Sequence, residues 1–328
     1  MVRALVATAV AALVVLLPSS PASADGEVFR FTDPAIVESS SLVDLGGTVV
    51  TANDSGHAAD LYSVDTRTGR TVGTTYLHVP AQDVEALAPA GGSRVWVGDI
   101  GDNLHRRRHV DVYLAPVARR RLDVRPTAYH LVYPDGAHDA ESLFTDRSGR
   151  LYVVTKGFTG GAVYRAPARL AAGVGNRLER MASVPDFATD AAMLPDGAHV
   201  LIRSYGLAAV YTFPGLERLG SFPLPAQRQG EGISVGAGGR ILLGSEGLHA
   251  PVLQVSLPAD LRAAVAGDTP SQTPSTTPST TPSQTPSPSP QPEPTTSSGS
   301  STWLLWLAPG VILLGALGIG LGLRRRRQ

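Results

Sequence analysis

Short runs rich in Val, Ile, Leu and Tyr, separated by Gly, Asp, Asn and Pro, recur from residue 27 to residue 258. Runs of this kind bounded by turn residues predict β-strands, not helices. They come in sets, and each set opens on a polar phrase: Glu38-Ser-Ser-Ser-Leu42, Asp83-Val-Glu-Ala-Leu87, Asp139-Ala-Glu-Ser-Leu143, then more loosely Thr189-Asp-Ala-Ala-Met193 and Gln229-Gly-Glu-Gly-Ile233. The phrase runs into a first strand. A second, more apolar strand follows: Thr48–Ala52, Arg94–Gly98, Arg150–Thr155, His199–Arg203 and Arg240–Gly244. A third carries a tyrosine in four of the sets, at Tyr62, Tyr113, Tyr164 and Tyr211, placed for packing between neighbouring units. Fourth strands are expected around Thr71–Leu77, Thr127–Tyr133, Leu178–Val184 and Arg218–Leu224.

An all-β repeat of about 40 to 56 residues predicts a β-propeller. Five sets imply five blades, with six as the alternative if a long unit hides a split blade. The fifth set lacks a fourth strand, and the unassigned run Glu27–Phe31 can supply it. Closing the ring with the opposite terminus removes the free sheet edges.

The ends of the chain have a different texture. Arg3, the apolar run Ala4–Leu17 and the small residues up to Ala24 read as a secretory signal peptide over 1–24. The propeller domain is expected over 25–262. Residues 263–302 are dominated by Pro, Ser, Thr and Gln and read as a disordered stalk, extended at ~3.1 Å per residue. Trp303–Leu323 has no charge and is long enough to cross a bilayer as one helix. The arginines of the tail, 324–328, place that end in the cytoplasm, so the reading is a single-pass cell-membrane protein with its propeller outside.

Composition narrows the chemistry. With no cysteine, the chain has neither disulfides nor thiolate sites. Lys+Arg and Asp+Glu balance at 28 each, and setting aside Arg3 and the terminal arginines leaves the exposed part mildly acidic. Nucleic acid is not an expected partner, since its basic footprint is missing. An envelope component, a glycan or a protein ligand is.

Equivalent positions in a propeller lie at equivalent radii, so two polar sets collect at the channel mouth. The first is Glu38, Asp83, Glu85, Asp139, Glu141, Asp190 and Glu231; the second is Asn53, Asp54, Asp99, Asp102, Asn103, Lys156, Arg203 and Glu246. Converging carboxylates need compensation. Backbone N–H groups of the next blade can supply it, locking the ring. Calcium can too, being a hard cation that takes six to eight oxygens. Asp83, Glu85, Asp99, Asp102, Asn103, Asp139, Glu141 and Glu231 are the candidate ligands. Direct catalysis is the third reading, with His138, Lys156 and Arg203 as candidates. Lys156 and Arg203 are expected at corresponding positions of the third and fourth units, where they would orient an anion or pair with neighbouring acids. Arg106–Arg108 reads as a solvated face.

The phrases N-D-S-G, G-D-I-G-D-N, Y-P-D-G-A-H-D-A-E-S-L, V-T-K-G, L-P-D-G and Q-G-E-G-I resemble those of secreted, mainly actinobacterial β-propellers of unassigned activity. More distantly they are similar to β-propeller phytases and esterase-like phytase propellers. The resemblance covers about residues 28 to 258. It implies the fold and, through the distant group, a calcium-dependent ester hydrolase in which Lys156 and Arg203 stand in for a richer phosphate pocket. Fold likeness alone assigns no reaction.

Overall fold

The predicted runs become strands because each buries a nearly continuous face of Val, Leu, Ile and Ala between neighbouring sheets. The computed structural model describes residues 23–54, 56 and 58–267, with side chains from residue 26 onward. The leader before residue 23, the stalk beyond residue 267, the span Trp303–Leu323 and the arginine tail lie outside the described residues. No helix among the described residues is long and apolar enough to cross a membrane.

The described chain forms five sheets, the five blades of a propeller. Blade 1 contains Ser39–Asp44, Thr48–Asn53, Leu61–Asp65 and Thr71–Leu77. Blade 2 contains Val84–Pro89, Arg94–Asp99, Val110–Pro116 and Ala128–Val132. Blade 3 is Ala140–Thr145, Leu151–Thr155, Gly161–Arg165 and Glu179–Val184. Blade 4 is Asp190–Met193, His199–Arg203, Leu207–Thr212 and Arg218–Pro223. Blade 5 is Ile233–Val235, Ile241–Leu243 and Pro251–Ser256, and its fourth strand is the N-terminal Ser23–Arg30, antiparallel to Pro251–Ser256. The five-blade expectation and the closure by the N-terminal run both hold.

Two strands and a helix were not anticipated. Leu122–Val124 adds in parallel to the outer strand of blade 1, and Gly175–Arg177 to that of blade 2. Both come from connections belonging to the following blade, and each covers an edge otherwise left open. The helix Ala259–Ala266 runs past residue 262 and lays Leu261 against Gly220 on the outer strand of blade 4.

The apolar core is divided like spokes into five clusters, each between two adjacent blades. The tyrosines of the third strands serve there as expected: Tyr113, Tyr164 and Tyr211 are fully buried. Their hydroxyls need partners. Tyr164 donates to Asp135 and Tyr211 to Asp186.

The first strand of each blade lines the axis, where neighbouring first strands touch. Polar side chains bridge inner strands around the axis. Asp190, completely buried, accepts hydrogen bonds from the Ile233 N–H of blade 5 (2.8 Å) and the Ser41 hydroxyl of blade 1 (3.0 Å). Ser41 in turn accepts from the Leu87 N–H of blade 2 at 3.0 Å. One carboxylate thus knots four inner strands together, with burial holding its pKa well above the usual carboxylate range. Toward the far face lies a cavity of about 230 Å³ lined by Leu42, Leu87, Phe144, Met193 and Ile233.

Candidate functional site

At the face where the first strands begin, main-chain hydrogen bonds define one repeated position. The N–H groups of Asp54, Gly101, Lys156 and Glu246 each donate to the carbonyl at the head of the polar phrase: Glu38, Asp83, Asp139 and Gln229. Blades 1, 2, 3 and 5 therefore place an acid, a glycine, a lysine and an acid at equivalent points of the mouth. Arg203 is not in this set. It pairs across the sheet with Asp190, as Asn53 pairs with Ser39 and Asp99 with Val84, so it sits one step earlier in the frame than Lys156. The expected correspondence of Lys156 and Arg203 is corrected by this register.

The acids opposite that position owe their aim to β-bulges. The ladders of blades 1, 2 and 3 each skip one residue, and the residues skipped are Ser40, Glu85 and Glu141. A bulge turns a side chain out of strict alternation and commonly occurs beside functional sites. Glu85 and Glu141 so point into the mouth, with Glu231 at the matching place before the first strand of blade 5.

Around Glu85 the neighbouring acids outweigh the pull of Lys156. One carboxylate oxygen each of Asp54, Asp83 and Glu85 lies within 4.8 Å of the others. Gly101 makes room for them: a Cβ there would come within 2.3 Å of the Asp83 carboxylate and 2.9 Å of that of Glu85. Glu85 is 6 % exposed and its carboxylate makes no hydrogen bond among the described residues. Burial, then the charges of Asp54, Glu141 and Asp83, drive its pKa far upward. Asp83 is raised to about 6 by burial and by the charges of Asp54, Asp139 and Asp99, and its Oδ1 is buried without a partner.

Across the mouth the acids are compensated. Glu141 pairs with Lys156, whose ammonium lies 4.8 Å above the Phe187 ring and 5.5 Å from that of Tyr205. Burial lowers the Lys156 pKa, but Glu141 outweighs it and the net direction is up. Burial also raises Glu141, against the pull of Lys156. Phe158, Phe187 and Tyr205 form a strip with ring centroids 5.6 and 5.9 Å apart, and Phe158 is 99 % exposed at its outer end. Glu231 and Glu246 are both raised to about 7, chiefly by burial.

The other sequence candidates are engaged elsewhere. Asp99 accepts from the N–H groups of Gln82 and Asp83 and pairs with Arg107 at 2.8 Å. Asn53 in blade 1 and Ser245 in blade 5 turn back in the same way, onto Val37 and Glu38 and onto Gln229. Asp102 accepts from the N–H groups of Arg106 and Arg107, and its own N–H donates to Asp139. Asn103 is exposed. His138 meets Asp135 (3.0 Å), Tyr164 (3.1 Å) and the Tyr133 ring, none of them mouth acids. The basic run is not a uniform solvated face, because Arg107 folds inward onto Asp99 and the Gly101 carbonyl.

Arg203 is fully buried, and its guanidinium donates to the carbonyls of Gly232 (2.6 Å) and Gly244 (3.1 Å) and to Gln227 (2.7 Å). A side chain at Gly230 would reach to 2.0 Å from that guanidinium, which explains the glycine in Gln229-Gly-Glu-Gly-Ile233. Arg203 staples blade 4 to blade 5. It offers no fork to a ligand. Asp54, by contrast, is central to the acidic corner although the sequence reading left it out of the candidate ligands. The signal was the doublet Asn53-Asp54: the asparagine takes the turn-back bonds that Asp99 makes in blade 2, and the following aspartate stands at the mouth position.

Fold and site together define a five-bladed β-propeller with an acidic corner and a lysine-aromatic corner at one mouth. No protein-family profile matches the chain, and no curated protein does. Among solved structures it is similar to a luciferin-regenerating enzyme, at TM-score 0.43 and 11 % identity over 66 % of this chain and 77 % of that one. It is also similar to a gluconolactonase of Xanthomonas campestris, at TM-score 0.42 and 16 % identity over 74 % and 89 %. Likeness at this level says nothing about what this chain acts on.

Proposed function

We propose that the protein is a ligand-binding propeller whose mouth takes a calcium ion at Asp54, Asp83 and Glu85 and, against Lys156 and the aromatic strip, an anionic or polyhydroxylated ligand of the cell envelope. The observation that carries this reading is Glu85: a buried carboxylate without a hydrogen bond, facing two further carboxylates. Such a group is costly unless a cation joins it. The donors are all hard oxygens in a cluster open to water, which suits calcium. Lys156, Phe187 and Phe158 run from the bottom to the rim and offer charge and flat apolar surface in the order a glycan or organic acid would use. Display at the cell surface rests on the hydropathy of Trp303–Leu323 and the stalk composition before it.

Calcium that binds only the folded protein stabilises it by about 2.7 kcal/mol at a hundredfold excess over Kd. Calorimetry of the chelator-treated full-length protein is expected to show a melting temperature that rises by several degrees with calcium. Glu85→Gln should melt higher than wild type without calcium and gain nothing from it. A wild-type melting temperature indifferent to calcium up to millimolar would overturn the cation site. Failure of the calcium-loaded protein to retain any envelope glycan or acidic peptide on an array would overturn the ligand reading.

A second reading is favoured by Glu231 and Glu246, which titrate near neutrality close to Lys156, as general acids and bases do. It is a calcium-dependent hydrolase of phosphate or carboxylic esters, in keeping with the phytase-like and esterase-like phrases. Turnover of phytate, phosphomonoesters or short acyl esters that disappears in Glu231→Gln would establish it. Absence of turnover with calcium present would leave the binding function alone.

A further inference from the structure

Outward from the mouth on the same face, blade 2 carries a second cluster of different chemistry. Asp111 lies opposite Asp99 on the neighbouring strand and opposite His130 on the strand beyond. Directly paired residues of antiparallel strands project to the same side, and so do residues two apart along one strand. Asp111 and His130 therefore share one side by construction, and His109 stands in the loop just before that strand. Their side chains confirm it. His130 Nδ1 is 2.6 Å and His109 Nε2 3.8 Å from the same oxygen of Asp111, and the two imidazole rings are 4.4 Å apart. One donor atom from each residue lies within 4.8 Å of the other two.

We infer that His109, Asp111 and His130 form a binding site for a divalent transition metal of the zinc class. Two imidazole nitrogens and one carboxylate are the donors such ions select, whereas calcium prefers an all-oxygen set. Bonds of 2.0–2.2 Å to three ligands require donors closer than about 4.3 Å, so small rotations of the exposed His109 ring close the triangle. His130 now donates to Asp111. On metal binding the Nδ1 proton is given up to solvent as Nε2 takes one, leaving a neutral imidazole, and Nδ1 and the Asp111 carboxylate turn their lone pairs to the ion. His109 and His130 have side chains 45 % and 33 % exposed while Asp111 is 14 % exposed, so the ion would be held from the protein side and keep an open position toward water. Two of the three ligands stand on paired strands, a rigid mount that presets their spacing. This site shares no residue with the proposed calcium corner and differs from it in donor type, so each can fail without the other.

The test is isothermal titration of zinc chloride into chelator-treated full-length protein in the presence of excess calcium, with cobalt(II) absorption as a second readout. Wild type is expected to bind one zinc ion in this site and to develop visible cobalt bands typical of nitrogen and oxygen ligands in low coordination. His109→Ala and His130→Ala should weaken zinc binding on the order of a hundredfold and remove the cobalt bands. His109 is exposed, so His109→Ala should melt like wild type without metal, which separates lost ligation from lost folding. Glu85→Gln should bind zinc as wild type does. A zinc isotherm unchanged in His109→Ala, or the absence of zinc binding and cobalt bands in wild type, would overturn the inference.

Discussion

The two sides of the mouth are built on one frame yet solve the same electrostatic problem differently. In blades 3 to 5 each inward acid has a cation near it, Lys156 for Glu141 and Arg203 beside Glu231. In blades 1 and 2 the position that holds Lys156 is filled by Asp54 and Gly101, and the acids around Glu85 outweigh Lys156, the lesser influence on it. Compensated carboxylates hold a ring together. Asp83 and Glu85, set by a bulge and a glycine, would gain from a cation supplied from outside, as proposed above.

The strongest way to break the comparison is to remove compensation where it is complete. Arg203→Met removes the guanidinium bonds to the Gly232 and Gly244 carbonyls and to Gln227, and with them the staple of the blade 4–5 boundary, although Gly232 keeps the Gly244 N–H and Gly244 keeps the Gln227 amide. It should cost about 3–5 kcal/mol, read from the denaturation midpoint at constant slope. A loss under ~1 kcal/mol would mean that the guanidinium does not hold the ring.

A milder change turns one side into the other. Lys156→Met gives Glu141 the surroundings of Glu85, and the metal-free protein should lose about 2 kcal/mol at pH 8. The loss should shrink at pH 5, where Glu141 can take up a proton. A loss equal at both values would show that Lys156 acts through packing on Phe187 and Tyr205 and not through charge.

The smallest effect is a slope. Glu231 and Glu246 are raised to about 7 from 4.5, and Asp83 to about 6 from 3.8. In the folded protein these groups bind protons more tightly than in the unfolded chain, so their contribution is fully present below about pH 4 and is lost as pH rises through 7. In the metal-free protein it should therefore lower the melting temperature between pH 5 and 8. Calcium should flatten the fall, since it favours the ionised form. A metal-free melting temperature that climbs through this range would contradict the assignment.

Most of the fold was legible because it repeats: polar phrase and apolar strands return five times, the third strand with a tyrosine in four of them, and the missing fourth strand points to the N-terminus. Leu122–Val124 and Gly175–Arg177 were not legible, since a short strand added at an edge has mixed polarity and its pairing is settled by the neighbouring blade. At the mouth, composition identified the acids but not their partners. A bulge shifts register by one, and only the observed ladder shows that Glu85 and Glu141 are the shifted residues and that Arg203 stands one step away from Lys156. His130 escaped for a related reason, because its partner Asp111 lies across the sheet, where no spacing along the chain reveals it.

The knot of Asp190, Ser41, Ile233 and Leu87 has a consequence for traffic. A propeller axis open at both ends would let an occupant arrive from one side and depart from the other. Here Asp190 and Ser41 tie strands of blades 1, 2, 4 and 5 across it, so an occupant of the mouth would come and go on one side. If the mouth takes both an ion and a ligand as proposed, the two corners share that door, and each arrival would restrict the traffic of the other.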